Sequence, residues 1–475
     1  MKKVIFFSII LLSAFYFLNP NIAEAATYWV SNNGAATWNN CKSDTSLSGT
    51  AGCSVSTAMA NAAGNDLVYF RTGTYTGSAT GDYVKPYYYP ANSGTSWDNP
   101  LIFKAYTGET VTFERSAGDP IIGINSNGVN YVTFDGFVIK NTNTGNADGF
   151  LMALNGGNGT YQTGIRVLNC EFISQEDINN TDLADMLFLR GISGYLIQNC
   201  YFHTHRATSG DIPNTGAITM YSTKNSTSPA IDAVIEKCTF RDLSAGVNYK
   251  VNSSGGVPNT GLKLRYNLFY DIDNFDASIM YNSSNSEFYQ NLIIDGYFSA
   301  ENSGYTSPNH KIHNNTFIGG ASMEGMAGIN FYNQGSHLIT NWEWYNNLCY
   351  SKTASPTYIF TEQSGANPTY ADYNLYYAAG TKNWSLAWTN HTIAEWQGHG
   401  YDAVGHVVTT QPTFKSYTGD ETGNYILDTG SSGIGVGRYG ENIGAYITGA
   451  EQIGYVAPGS SDTTPPAAPT GVTVN

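Results

Sequence analysis

The chain has 475 residues, of which 41% are hydrophobic, 14% aromatic and only 12% charged, with 51 glycines and 35 tyrosines. That is enough apolar material for a long core, and too little charge for a disordered or coiled-coil protein. With 22 Lys and Arg against 37 Asp and Glu, the net charge of −15 excludes a nucleic-acid partner, since no basic patch stands out.

The N-terminus reads as an export signal. Met1-Lys2-Lys3 is a short positive start, Val4 to Leu18 is apolar, and Ala23-Glu24-Ala25 is a small-residue cleavage pattern. The apolar run is shorter than the ~20 residues a helical span needs. Residues 1–25 are therefore expected to be removed, leaving a secreted or cell-surface protein without a membrane span. Cys41 and Cys53 lie in a Gly/Ser-rich loop near the mature start, where a disulfide is expected of an exported chain.

Residues 26–98 read as a cap and first coil. Thr27 to Val30 is a strand, Val55 to Ala63 a short Ala-rich helix, and Asp66 to Tyr75 an alternating strand ending in a Gly turn. A helix there shields the open apolar end and unpaired edge of a repeating structure.

Residues 99–377 carry a repeated phrase. It runs Ile165-Arg-Val-Leu-Asn-Cys-Glu-Phe172, Tyr195-Leu-Ile-Gln-Asn-Cys-Tyr-Phe202 and Ala233-Val-Ile-Glu-Lys-Cys-Thr-Phe240, then Leu262-Lys-Leu-Arg-Tyr-Asn-Leu-Phe269. Three shorter copies follow, aligned on Asn291, Asn315 and Asn347, so one column reads Cys170, Cys200, Cys238, Asn267, Asn291, Asn315, Asn347. A fixed phrase with loops of varying length is a solenoid signature. Alternation sends Leu262 and Leu264 inward and Lys263 and Arg265 outward. The cysteines read as small buried residues, and the asparagines as a hydrogen-bonded ladder along the stack.

The cap, with its Asp-Leu-Val-Tyr-Phe-x-x-Gly-Thr-Tyr ending, and the coils Asn99 to Tyr106 and Tyr131 to Phe137 resemble secreted right-handed parallel β-helix proteins of the pectate-lyase-like superfamily. The resemblance spans roughly Ala26 to Ile447 and implies an all-β, right-handed parallel β-helix with a short N-terminal capping helix. It also implies a carbohydrate partner. Residues 378–457 resemble the superfamily's closing coil and C-terminal cap. Residues 458–475 read as a Pro/Ser linker and the opening strand of a fibronectin type III module, cut short.

Two chemistries suit such a protein, expected here as a monomer acting on a polysaccharide, probably an acidic one. A lyase removes the proton α to a uronate carboxylate and needs a base and a neutralising cation. Lys250 is the candidate base, outward on the strand Gly246-Val-Asn-Tyr-Lys-Val251. His205 and Arg206, in the dense basic cluster His203-Thr-His-Arg206, are candidate base and carboxylate clamp. Asp148, Asp185 and Asp276 each precede a second strand and are candidate ligands for calcium, whose hard oxygen preference fits. A glycoside hydrolase instead needs two carboxylates, for which Glu176 and Asp177 are the candidates. A non-catalytic glycan-binding or adhesive protein is the third reading. Trp342 is a candidate ring for stacking on sugar, whereas Trp344 falls in an inward column.

Overall fold

The computed structural model describes residues 26–457 apart from 78–81, 83, 116–118, 126–127, 143–149, 157–160, 175–177, 181–184, 211–215, 222–231, 251–258, 273–275, 282, 304–305, 320–325, 335–338, 353–356, 363–366, 387–388 and 404. Residues 1–25 and 458–475, where the sequence predicts an export signal, a Pro/Ser linker and the start of a fibronectin type III module, lie outside these residues. Three long sheets of 12, 11 and 11 strands run the length of the stack. Each coil gives one strand to each sheet in turn, as in Ala233–Glu236, Thr239–Leu243 and Ala245–Lys250. The next coil repeats them in parallel register, with Val234 opposite Lys263, Phe240 opposite Phe269 and Val247 opposite Ser278. The chain is a parallel β-helix, all-β as expected.

The turn that closes the phrase explains why it repeats. Asn169, Asn199, Lys237, Tyr266, Gln290, Asn314, Asn346 and Tyr373 all sit at φ between 51° and 60°. A non-glycine residue held there costs about 1 kcal/mol or more, and the stacked coils supply the restraint. The next residue points inward and belongs to the Cys/Asn column. From Asn267 onward each side-chain amide bonds the following rung, for example Asn267 Nδ2 to Asn291 Oδ1 at 3.0 Å and Asn291 Nδ2 to Asn315 Oδ1 at 3.0 Å. The amide oxygens of the column also accept backbone N–H groups, as Asn267 Oδ1 does from Cys238 N at 2.9 Å. The asparagine column is thus a ladder, and Cys170, Cys200 and Cys238 are buried above it. Beside it Phe172, Phe202, Phe240 and Phe269 stack at centroid separations of 4.5, 5.1 and 4.6 Å.

The expected helix forms over Val55–Asn61, with Ser54 accepting from Thr57 N–H, and buries Val55, Ala58 and Met59 against the first coil. Cys41 and Cys53 are buried next to each other in this cap as free thiols rather than as the expected disulfide. Their thiols donate to the carbonyls of Trp38 and Trp29 at 3.2 and 3.4 Å.

The C-terminal segment does more than close the last coil. The antiparallel pair Phe414–Ser416 and Asn424–Leu427, with Ile443, packs on the outer face of the second sheet against Leu292, Ile294, Ile318, Leu348 and Leu375. The chain then runs back along the turn column as a strap. Gly444 N donates to Asn346 O at 2.8 Å, Ala445 N to Thr316 Oγ1 at 2.9 Å, Gly454 N to Tyr266 O at 2.8 Å, and Val456 N to Asn199 Oδ1 at 2.9 Å.

Candidate functional site

One outward column of the second sheet shows where the molecule is open. In register it reads Thr74, Thr112, Val138, Glu171, Tyr201 and Thr239, then Leu268, Leu292, Thr316, Leu348 and Leu375. It turns apolar where the C-terminal layer covers it, since a buried outer face must be apolar. The open half therefore has a floor of sheet residues and one wall built by the layer and the strap. Two adjoining clefts, of about 570 and 560 Å³, lie at that wall.

The first cleft is lined by Tyr201, His203, Thr204, Arg206, Arg241, Asp242 and Asp271. The His203 ring lies flat on Tyr201 at 4.1 Å, and Tyr201 in turn stacks on Tyr455 of the strap at 5.6 Å. His203 Nε2 meets Glu171 Oε1 at 2.9 Å and its Nδ1 meets Thr204 Oγ1 at 3.1 Å. That hydrogen bond holds the Glu171 carboxyl below the usual carboxylate range, so Glu171 stays ionised and is a poor general acid. Arg241 pairs with Glu421 of the C-terminal layer at 3.0 Å and bonds the Tyr201 hydroxyl. The cleft thus brings together a phenol, an imidazole anchored to the Glu171 carboxylate beside it, and a guanidinium, from two neighbouring columns of the sheet.

The structure does not gather the sequence candidates into one constellation. His205, expected in a groove, is only 3% exposed and faces the core, where it stands in register with Leu243. The cause is Thr204, whose φ of 57° breaks the alternation, so His203 and His205 face opposite ways. Arg206 does line the cleft, but it is clamped between two carboxylates, Asp242 and, at 2.7 Å, Asp271. It is a structural cross-link between coils rather than a waiting anion site. Lys250 ends a third-sheet strand, opposite Tyr221 and in the same column as Arg190 and Asn155. Asp185 precedes its strand at the other edge of that sheet. It stands opposite Gly216, whose N–H it accepts at 3.0 Å, and Gly216 is opposite Ala245. Five residues at about 3.3 Å each then put Lys250 about 16 Å along the strand from that column.

Asp276 opens the strand Asp276–Tyr281; Asp148, Glu176 and Asp177 lie outside the described residues. Asn248, two residues before Lys250 on the same strand, is fully buried. Trp342 is fully buried too, so it is core and not a sugar platform; Trp344 is core as expected. Calcium takes six to eight oxygen ligands. Asp185 is wholly enclosed with one oxygen on a peptide N–H, and among the described residues no three His, Cys, Asp or Glu side chains converge as ligands. The described residues do not build a calcium cage, and no step below runs through the metal. Sequence reasoning missed Tyr201, Arg241 and Tyr455, because the wall depends on a strap that returns from far along the chain.

No protein-family model matches the sequence, and no curated protein matches it. Among solved structures, the chain is similar to the pectate lyase Pel9A at 14% identity, covering 88% of this chain and 96% of that one, with a TM-score of 0.47. It is similar to a mannuronic acid specific polysaccharide family 6 lyase from human gut microbiota at 13% identity, covering 70% and 80%, with a TM-score of 0.46. A third likeness is to XylC in complex with xylose, at 9% identity, covering 76% and 86%, with a TM-score of 0.40. The parallel sheets of this chain, rather than these distant likenesses, establish its fold.

Proposed function

We propose that this protein, exported by its leader, acts on an extended uronate-containing polysaccharide lying along the open half of the second sheet, and cleaves it by β-elimination. The observation that carries the reading is the group of Tyr201, His203 and Arg241 lining one cleft of the open sheet face, with His203 fixed by Glu171. Elimination removes the proton α to the carboxylate, breaks the bond from the β carbon to the glycosidic oxygen, and leaves a carbon–carbon double bond. The departing oxygen takes a proton. Arg241, an exposed side chain held by one carboxylate where Arg206 is held by two, has N–H donors left for the uronate carboxylate, and bonding it makes the α proton more acidic. Tyr201, whose hydroxyl is bonded by that guanidinium at the floor of the cleft, is the proton-transfer group. His203 is a positioning residue, fixed by Glu171 and holding the phenol by its stack.

Lys250 as base, with calcium on Asp148, Asp185 and Asp276, is a competing arrangement of the same reaction on the third sheet. Absorbance of the double-bond product from pectate, alginate and glycosaminoglycans separates the possibilities. The groove reading expects product that survives chelation and Lys250→Ala but disappears in Tyr201→Phe. Product lost to chelation and to Lys250→Ala, and kept in Tyr201→Phe, would move the chemistry to the third sheet. No product from any polymer leaves the non-catalytic glycan-binding reading.

A further inference from the structure

The second cleft, of about 560 Å³, lies where the strap ends, beside the turns joining the first and second sheets. Its size suits a small-molecule site. Tyr106 and Tyr455 offer rings, and the Tyr455 ring stacks on Tyr201 of the first cleft. The walls are fixed: Asn199 Nδ2 donates to Val456 O at 2.9 Å while its Oδ1 accepts Val456 N–H at 2.9 Å, and Asn169 Nδ2 donates to Asp135 Oδ1 at 2.7 Å.

Nearly every charge in the lining is already compensated. Lys104 is bound to Asp135 at 2.7 Å, Glu109 to Arg71, and Glu171 to His203. Lys237 is different. It lines the cleft, is half-buried, and has no carboxylate partner among the described residues. It also stands in the left-handed turn column, at φ 56°, where neighbouring coils place Asn169, Asn199, Tyr266 and Gln290. An ammonium with no internal counter-charge, in a cleft walled by rings and amides, is an arrangement for an anionic ligand with an apolar ring face.

We infer that this cleft is a saccharide subsite in which Lys237 recognises the carboxylate of a uronate unit, next along the chain from the unit at Tyr201. It rests on the polysaccharide reading above and adds charge selectivity at a second position. Lys237→Asn is the variant of choice, because asparagine already occupies this turn in the two preceding coils, as Asn169 and Asn199, and suits the left-handed conformation. Calorimetric titration of the full chain with a uronate oligomer, and with the same oligomer reduced to neutral sugar, reads the effect.

The wild type binds the acidic oligomer more tightly. Lys237→Asn lowers that affinity about tenfold, as expected for one charge-assisted contact, and leaves the neutral oligomer unchanged. Lys237→Arg restores most of the loss. Equal weakening for both oligomers, no weakening for either, or a wild type that binds neither overturns the subsite. Product formation assayed in parallel keeps the two readings apart. Turnover indifferent to Lys237 retains the lyase and removes the subsite, whereas Lys237-dependent binding without product does the reverse.

Discussion

The amide of Asn374 donates to Asp402 Oδ1 at 2.9 Å, and there the asparagine ladder ends. Every rung from Asn267 passes an N–H toward the C-terminus, so the last amide needs an acceptor that has no amide of its own to satisfy. A carboxylate meets that need. Asp402 is fully buried and also accepts from the Tyr376 hydroxyl and the Trp396 indole, both at 2.8 Å. Asp402→Ala would strand three buried donors, at about 1–3 kcal/mol each. We expect a loss of about 3 kcal/mol or more in urea unfolding, and a smaller loss for Asp402→Asn, whose single oxygen keeps part of the set. Equal stability of Asp402→Ala and wild type would show that the terminus is solvated and the ladder ends without it.

Acid should weaken the N-terminal coils through one identifiable pair. Arg71 Nε donates to both oxygens of Glu109 at 2.9 Å, and this bond holds the Glu109 carboxyl below its ordinary value. A carboxylate depressed in the folded state is protonated first in the unfolded chain. Its contribution is therefore complete above the unfolded value, about 4.3, and is lost as pH falls through the lower folded value. Glu171 and Glu287, lowered by hydrogen bonds to His203 and His313, shift stability in the same direction. Urea midpoints taken through the acid range should fall in the wild type and fall less steeply in Arg71→Gln. Parallel curves would remove the pair from the acid limb.

Much of the fold was legible because the phrase combines a period-2 alternation with a fixed turn, and that turn sets which residue begins the ladder. The site was less legible for a local reason. A second left-handed column, Thr204, Asp242, Asp271 and Asp295 at φ 54–58°, reverses the inward face after the outward His203, Arg241 and Tyr270. Simple alternation carried past Thr204 puts His205 in the groove, when its ring joins Leu243 in the core. The recurring Asp of this column was the available signal, since Asp tolerates the left-handed region better than most residues.

His205→Ala should accordingly act on stability and not on chemistry. Removing a buried ring leaves a cavity worth about 1–3 kcal/mol, read as a lower unfolding midpoint. Affinity for a uronate oligomer should stay as in the wild type at temperatures where the variant is folded. His203→Ala, two residues away, should do the opposite: its ring lines the cleft beside Tyr201 and is outside the core, so binding weakens while the midpoint moves less than in His205→Ala. A His205 variant that loses affinity and keeps its midpoint would return that side chain to the groove.

The other boundary of the site is the C-terminal layer, and a charge scan along one column should locate it. Thr112 and Leu292 occupy the same outward column of the second sheet, but Leu292 is only 4% exposed beneath the layer and Thr112 is half-exposed on the open side. A lysine at the covered position must bury an unpaired ammonium or lift the layer away. Leu292→Lys should therefore cost several kcal/mol, about 3 or more, and expose the apolar face of Ile294, Ile318 and Leu348 to a hydrophobic dye. Thr112→Lys, with water above it, should stay within about 0.5 kcal/mol of wild type. If both lysines are tolerated equally, the layer is not bound over Leu292 in solution, and the wall that carries Glu421 and Tyr455 to the clefts is not there to bind a sugar chain.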